Sequence, residues 1–238
     1  MTPRLLDAGE TALVIEFGQA IDPAANARVL ALDAALTAAA PQGLVECVPT
    51  YRSLMVHYDP LVLSRSALVA AVTSCLDAPT LAIRPGRLWT LPACYDPAFA
   101  EDIDHVAAIT GLTPAEVVTS HATARYTVTM YGFAPGWAYL GGLPPALSLP
   151  RRTSPRARIP AGSLIIAGGQ AIVATMAMPS GWHILGRTPE RLFRPESATP
   201  FPVAVGDQIT FTPVDRATFA TLQRRAVAGE VLATAEPL

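Results

Sequence analysis

The apolar positions in the first third of the chain alternate between strand-like and helix-like spacing. Residues 11–17 (TALVIEF) combine β-branched and aromatic positions with one polar interruption, which predicts a strand. Asp22-Pro23 supplies an N-cap followed by proline at the first helical position. The Ala/Leu-rich run after it predicts a helix to Ala40, stopped by Pro41-Gln42-Gly43. Residues 44–48 and 53–58 predict a strand pair, and Ser64 caps a second helix running to about Leu76. Strand, helix, strand, strand, helix is the order of a small α+β sandwich, with both helices on one face of an antiparallel sheet.

Asp77-Ala78-Pro79 and Arg84-Pro85-Gly86 then punctuate the chain and set a boundary between domains 1–85 and 86–238. A strand is expected at 88–91. Two short helices follow, one over 102–110 ahead of Gly111. The other opens at Thr113-Pro114-Ala115-Glu116, a capping box with proline at the first helical position. Past a strand at 126–131, the apolar residues fall into short runs between Gly and Pro turns, at 163–167, 171–174, 183–185 and 208–211. Short, evenly spaced strands with such punctuation predict a sandwich or a barrel. The expected class is therefore α+β, a small N-terminal α+β sandwich followed by a β-rich domain.

Charge adds something the periodicity does not show. Hydrophobic residues make up 51% and charged residues 15% of the chain, enough for a core and against disorder. So little polar cover also favours a surface buried in an oligomer. The formal net charge is only -2, yet residues 117–189 contain no Asp or Glu and six arginines: Arg125, Arg151, Arg152, Arg156, Arg158 and Arg187. A folded surface usually intersperses both signs. The missing negative charge is therefore expected from outside, as a substrate carboxylate, a phosphate or a partner's acidic face. Nine of the 16 glycines lie in the same stretch, as in a binding surface built from loops.

All 17 basic residues are arginine. With no lysine there is no phosphate-loop lysine, no Schiff-base lysine and no residue to carry biotin, so another chain would have to supply those functions. Cys47, Cys75 and Cys94 are odd in number and widely spaced, which suits free thiols in a reducing compartment. The N-terminus reaches Asp7 before any signal-type apolar region develops, and no apolar run approaches the ~18 residues of a membrane span. A cytoplasmic location is expected. No nucleic-acid-binding module is visible.

Three segments carry candidate chemistry. The first, residues 131–142, places Pro135-Gly136 among Tyr131, Phe133, Trp137 and Tyr139, either as flat walls for a planar ligand or as a packed aromatic corner. The second holds Arg151, Arg152, Arg156 and Arg158 among prolines, then Ser163. Stiffened arginines suit a carboxylate or phosphate, and the same residues also suit a solvated loop or a contact paired with acids of the flanking domain. The third holds Trp182, His183 and Arg187. His183 and His121 are candidate acids or bases, although a histidine in an apolar run also reads as structural. A carboxylate base would have to come from outside the acid-free stretch, for instance Asp96, Asp102 or Asp207. The histidines share no metal-type spacing, so no metal site is expected.

Taken together, Gly132-Phe133-Ala134-Pro135-Gly136-Trp137-Ala138-Tyr139-Leu140, Pro150-Arg151-Arg152, Pro155-Arg156, Pro160-Ala161-Gly162-Ser163, Gly169-Gln170 and Gly181-Trp182 with Gly186-Arg187-Thr188 resemble one family. It is the family of allophanate hydrolase subunit 1, or carboxyltransferase subdomains C and D, which includes the B-type chains of 5-oxoprolinase and KipI-type kinase inhibitors. The match is specific over about the last two-thirds of the chain. The resemblance implies a cyclophilin-like β-barrel after the N-terminal domain and a homologous barrel subunit as partner, with a third subunit in some assemblies. It implies an ATP-dependent 5-oxoprolinase in which partner subunits handle ATP and this chain carries no covalent cofactor. Arg156, Arg158 and Arg187 would then hold a small anionic substrate, Ser163 and Gln170 would donate to it, and Tyr139 and Trp182 would wall it. A biotin-dependent carboxyltransferase half acting on urea-like amides and a KipI-type regulator are the other activities that the resemblance implies.

Overall fold

The computed structural model describes residues 2–78 and 86–238. The chain divides into two compact units, Met1–Arg84 and Pro85–Leu238.

The first unit is a four-stranded sheet with two helices. Its elements are β1 (Arg4–Asp7), β2 (Ala12–Glu16), α1 (Pro23–Ala39), β3 (Leu44–Pro49), β4 (Ser53–Tyr58) and α2 (Arg65–Asp77), and the strand order is β1-β2-β4-β3 with every pair antiparallel. Strand alternation turns Leu13 and Ile15 of β2 and Leu54 and Val56 of β4 to one side, where they pack with Val29, Leu32 and Leu36 of α1 and Leu68 and Val72 of α2. Both helix starts are fixed by side chains. The Asp22 carboxylate accepts from the Ala24 and Ala25 amides, and the Ser64 hydroxyl accepts from the Ala67 amide. The residue pattern does not reveal β1, because an outer strand with mostly exposed residues has no apolar alternation.

The second unit opens with β5 (Arg87–Ala93), α3 (Ile103–Thr110), α4 (Pro114–Thr123), β6 (Tyr126–Tyr131) and β7 (Ala138–Gly141). It continues through β8 (Arg156–Ile159), β9 (Ser163–Ala167), β10 (Gln170–Val173), β11 (Met178–Ser180) and β12 (His183–Arg187), then β13 (Gln208–Pro213), α5 (Arg216–Val227) and β14 (Thr234–Pro237). Eight strands form one mixed sheet in the order β12-β9-β10-β7-β6-β13-β5-β14, and β8 pairs with β11 in a separate ribbon. β5 and β13 run parallel; the neighbouring pairs are antiparallel.

A closed barrel is not what the ladder shows. The described strands form an open sheet. The end of β12 reaches the continuation of β5 through one bridge, with Cys94 N–H donating to the Arg187 carbonyl (2.8 Å) and Arg187 N–H to the Cys94 carbonyl (2.9 Å). Gly186 permits that approach, since a Cβ there would lie 2.7 Å from the Cys94 carbonyl oxygen.

The short apolar runs have a physical origin in this sheet. β9 and β10 are buried on both faces, so after their first residues, Ser163 and Gln170, they are apolar at every position rather than every second one. Leu164, Ile166, Ala171 and Val173 face a cluster with Tyr126, Leu140 and Leu185. Ile165, Ala167, Ile172 and Ala174 face a second cluster with Trp137, Ile159, Trp182 and Ile184. The candidate site stands on this second face. Among the described residues no helix is long and apolar enough to cross a membrane.

Candidate functional site

Two of the six arginines in the acid-free stretch, Arg152 and Arg156, are balanced by acids from outside it. Asp102, at the entrance to α3, is buried and accepts four hydrogen bonds. They come from Arg152 Nη1 (2.6 Å), Arg156 Nη1 (2.8 Å), Arg156 Nη2 (2.8 Å) and the Ile184 amide (2.7 Å). Arg156 also lies 3.2 Å from Glu101 through its Nε. Burial pushes the Asp102 carboxyl up, but the Arg156 hydrogen bond, the Ile184 amide and the charges of Arg156 and Arg152 outweigh it and hold the group below its ordinary value. Arg156 is therefore committed to an internal acid and is not free to hold an external anion, which corrects the expectation for it. Arg158 is exposed on β8.

Tyr139 and Trp182, expected to wall a ligand, do come together. They line a pocket of about 260 Å³ with Phe133, Trp137, Arg151 and Arg152. The rings of Tyr139 and Trp182 meet edge to face at 6.3 Å. Trp182 is held by its own turn, because the Ser180 hydroxyl accepts from the Trp182 amide at 3.1 Å. The exposed guanidinium of Arg151 stands 5.9 Å from the centre of the Trp182 ring and has no carboxylate partner among the described residues. Arg152, at the same rim, is anchored by Asp102. Phe133 is 75% exposed at φ +73°, a backbone region that costs a non-glycine residue about 1–2 kcal/mol, and its ring meets Trp137 edge to face at 5.4 Å. The Trp137 indole N–H is buried without an acceptor among the described residues.

Arg187 is elsewhere. It lines a separate cavity of about 190 Å³ with Gly162, Thr188 and Gln223, and no residue borders both cavities. Trp182 and Arg187 bracket β12. At about 3.3 Å per residue, five residues separate them by roughly 16 Å. The expectation that Arg156, Arg158 and Arg187 close on one anion is corrected on this geometry.

The remaining candidates are held by the core. His121 is 1% exposed and stacks on Phe211 at 5.0 Å, with its Nδ1 and the Tyr95 hydroxyl sharing a 2.9 Å hydrogen bond. Burial lowers its pKa to about 3, so it is neutral and sealed from solvent, not positioned as the expected acid or base. His183 Nε2–H donates to the Pro150 carbonyl (3.0 Å), and its buried Nδ1 has no partner among the described residues. Its ring stacks on His105 at 5.6 Å, and it does not line the aromatic pocket. Ser163 donates to the Pro160 carbonyl at 2.8 Å from a buried position, as a turn residue rather than a ligand donor. Gln170 is buried beside the turn at Gly168-Gly169 and borders neither cavity. Arg151, from the second candidate segment, lines the aromatic pocket but is absent from the substrate-holding residues that the resemblance implies. Its signal is present in the Pro150-Arg151-Arg152 motif, but only the fold separates it from its paired neighbour. Cys47 and Cys75 are half-buried and Cys94 is buried, all as free thiols, and burial pushes the Cys47 thiol up to about 11.

Residues 3–203 match the family model described as "Carboxyltransferase domain, subdomain C and D". The chain is 34% identical over 218 residues to the B-type chain of 5-oxoprolinase from Bacillus subtilis (strain 168), covering 87% of this chain and 90% of that one. It resembles the crystal structure of TTHA0988 with a TM-score of 0.76 and 35% identity, over 85% of this chain and 40% of the longer one. The fold also recurs in Kluyveromyces lactis urea carboxylase, with a TM-score of 0.80 and 17% identity over 99% of this chain and 24% of that one. The match over most of its length, at this identity, shows that the chain belongs to the carboxyltransferase subdomain C and D family.

Proposed function

We propose that this chain is the B-type component of an ATP-dependent 5-oxoprolinase. It would act with a homologous partner subunit to open 5-oxoproline to glutamate, its second unit being one cyclophilin-like half of the pair. The observation that carries this reading is the aromatic pocket with Arg151 at its rim. Its volume of about 260 Å³ lies below the ~300–1,000 Å³ of pockets for drug-sized ligands, which suits a five-membered lactam and not a nucleotide. Trp137, Tyr139 and Trp182 offer apolar walls to the ring, and Arg151 offers an unpaired positive charge to its carboxylate. Arg152 contributes positive potential from a position fixed by Asp102. The lactam C–N bond is stabilised by amide resonance, so adding water across it requires activation, and that is the role of ATP. The absence of a phosphate-loop lysine and the small size of this pocket support assigning ATP to the partner subunits. The names of its relatives support the same reading, since the B. subtilis protein is itself designated a 5-oxoprolinase subunit.

The test is reconstitution of purified subunits with ATP and 5-oxoproline, following glutamate. Omitting this chain should abolish turnover. Arg151→Ala should raise KM about tenfold or more, the loss expected when a hydrogen bond to a charged group is removed. Trp182→Ala should do likewise. Turnover that is indifferent to both substitutions, in chains with unchanged circular dichroism, refutes the reading.

A further inference from the structure

Arg187 departs from the charge pairing seen elsewhere in the second unit. Four other arginines that are at least partly withdrawn from solvent hold a carboxylate. Arg152 and Arg156 hold Asp102, Arg191 holds Glu196 and Arg194 holds Glu190. Arg187 is half-buried and has no carboxylate among the described residues. Its Nε–H donates to the Ala161 carbonyl at 2.9 Å, which fixes the plane of the guanidinium, and the Phe99 ring centre lies 5.9 Å from it. The two terminal nitrogens have no protein acceptor among the described residues. Burial alone pushes the pKa of this arginine down, the signature of a cation taken from water without a counter-charge.

The cavity beside it has two kinds of wall. Val173, Leu192 and Val227 are apolar, whereas Thr188 and Gln223 bring a hydroxyl and a side-chain amide. The Thr188 oxygen accepts from the Glu190 amide, so its proton remains to be donated. Glu190 also borders the cavity, but its carboxylate is taken up by Arg194 and by the amides of Arg191, Leu232 and Ala233. It does not neutralise Arg187. With about 30 Å³ per liquid water, a cavity of about 190 Å³ holds the equivalent of about six waters, the size of a carboxylate on a chain of a few carbons.

We propose that this cavity is a second ligand site, distinct from the aromatic pocket, which takes a small aliphatic monocarboxylate. The carboxylate meets the terminal nitrogens of Arg187, and the alkyl chain lies against Val227, over the margin where the buried Val173 and Leu192 border the cavity. A phosphate dianion fits less well. It would bring a second negative charge beside Glu190 with no cation left to meet it, and it would leave the apolar wall unused.

The experiment is calorimetric titration of the intact chain with butyrate, and separately with inorganic phosphate. Butyrate should bind, and Arg187→Gln should weaken it about tenfold or more. Arg187→Lys should recover part of the affinity. Val227→Trp, at a 78% exposed position on α5, should block the cavity without disturbing the core and weaken butyrate similarly. If Arg187→Gln fails to fold, Val227→Trp decides. Trp182→Ala should leave butyrate binding unchanged, which separates this site from the proposed 5-oxoproline pocket whatever the outcome for turnover. The proposal is overturned if the wild-type chain gives no butyrate heat. It is equally overturned if both cavity variants bind butyrate as well as wild type, if Trp182→Ala abolishes binding, or if phosphate binds in preference.

Discussion

Asp102→Asn is the substitution whose consequence the structure fixes most tightly. The Asp102 side chain is 4% exposed, and those of Arg152 and Arg156 are 25% and 22% exposed. Asparagine keeps the size and one acceptor oxygen but removes the charge, leaving two guanidinium groups facing a neutral amide. Breaking a buried pair by removing one partner costs about 3–5 kcal/mol. Solvent reaches the arginines in part and Arg156 keeps Glu101, so about 2–3 kcal/mol is the expected loss. For a chain of this size that lowers Tm by about 5–10 °C. All three tryptophans, Trp89, Trp137 and Trp182, lie in the second unit, so intrinsic fluorescence in urea reports on the unit that contains Asp102. The same substitution in an Arg152→Met/Arg156→Met background should cost under about 1 kcal/mol, because no cation is left stranded. A wild-type loss below about 1 kcal/mol, or a loss that persists in that background, would refute the argument. The pH dependence has a definite sign. The folded pKa lies below the unfolded 3.8, so the stabilisation is complete above 3.8 and is lost as pH falls through the lower folded value. The penalty of Asp102→Asn should therefore shrink in acid and not in base.

Other outcomes follow from single residues. His121 has a folded pKa of about 3 against 6.5 unfolded, so the stability it contributes is present above 6.5 and declines as pH falls toward 3. Between pH 7 and 5 wild type should lose about 2 kcal/mol more than His121→Phe in urea titrations, and equal losses would remove the buried neutral histidine from the account. Gly162 has φ +80° and a Cβ there would lie 2.3 Å from the Thr188 carbonyl oxygen, so Gly162→Ala should cost at least about 2 kcal/mol in thermal melts. An unchanged melt would mean that the turn moves freely to accept the methyl group. Phe133→Ala, at a 75% exposed ring, should leave stability within about 0.5 kcal/mol while weakening 5-oxoproline turnover, and a normal KM would exclude Phe133 from the pocket's function.

What the sequence discloses depends on how far each pattern reaches. Caps and periodicity are local, so α1, α2 and α4 start where Asp22, Ser64 and Thr113 announce them. β9 and β10 are legible because two buried faces demand an unbroken apolar run. β7, β8 and β11 read as turns or stiffened loops, since three or four residues among glycines and prolines are too few to show alternation. α5 escapes the pattern because it buries only Phe219 and Ala226, which leaves no apolar stripe; its legible signals are Asp215 as the cap and Arg224 and Arg225 in the last turn. β14 is exposed throughout and carries no pattern at all.

The arginines show the same limit acting on charge. Counting Asp and Glu along a segment treats sequence neighbours as spatial neighbours, yet Arg152 and Arg156 meet Asp102 from 50 and 54 positions away. Asp102 is an N-cap residue whose carboxylate makes no cap bond, because the arginines and the Ile184 amide take all of its hydrogen bonds. The informative quantity is therefore what remains after long-range pairing, and inside the cavities it is two residues. Arg151 and Arg187 stand toward opposite ends of β12, one over an aromatic ring at the rim of a pocket and the other within a cavity that has an apolar wall. An arginine withdrawn from water without an acid loses solvation with no opposing charge in return, and a fold retains such a residue where an external anion completes it. By that reasoning Arg187, half-buried and unpaired, is the stronger indication of a ligand, although Arg151 belongs to the larger pocket.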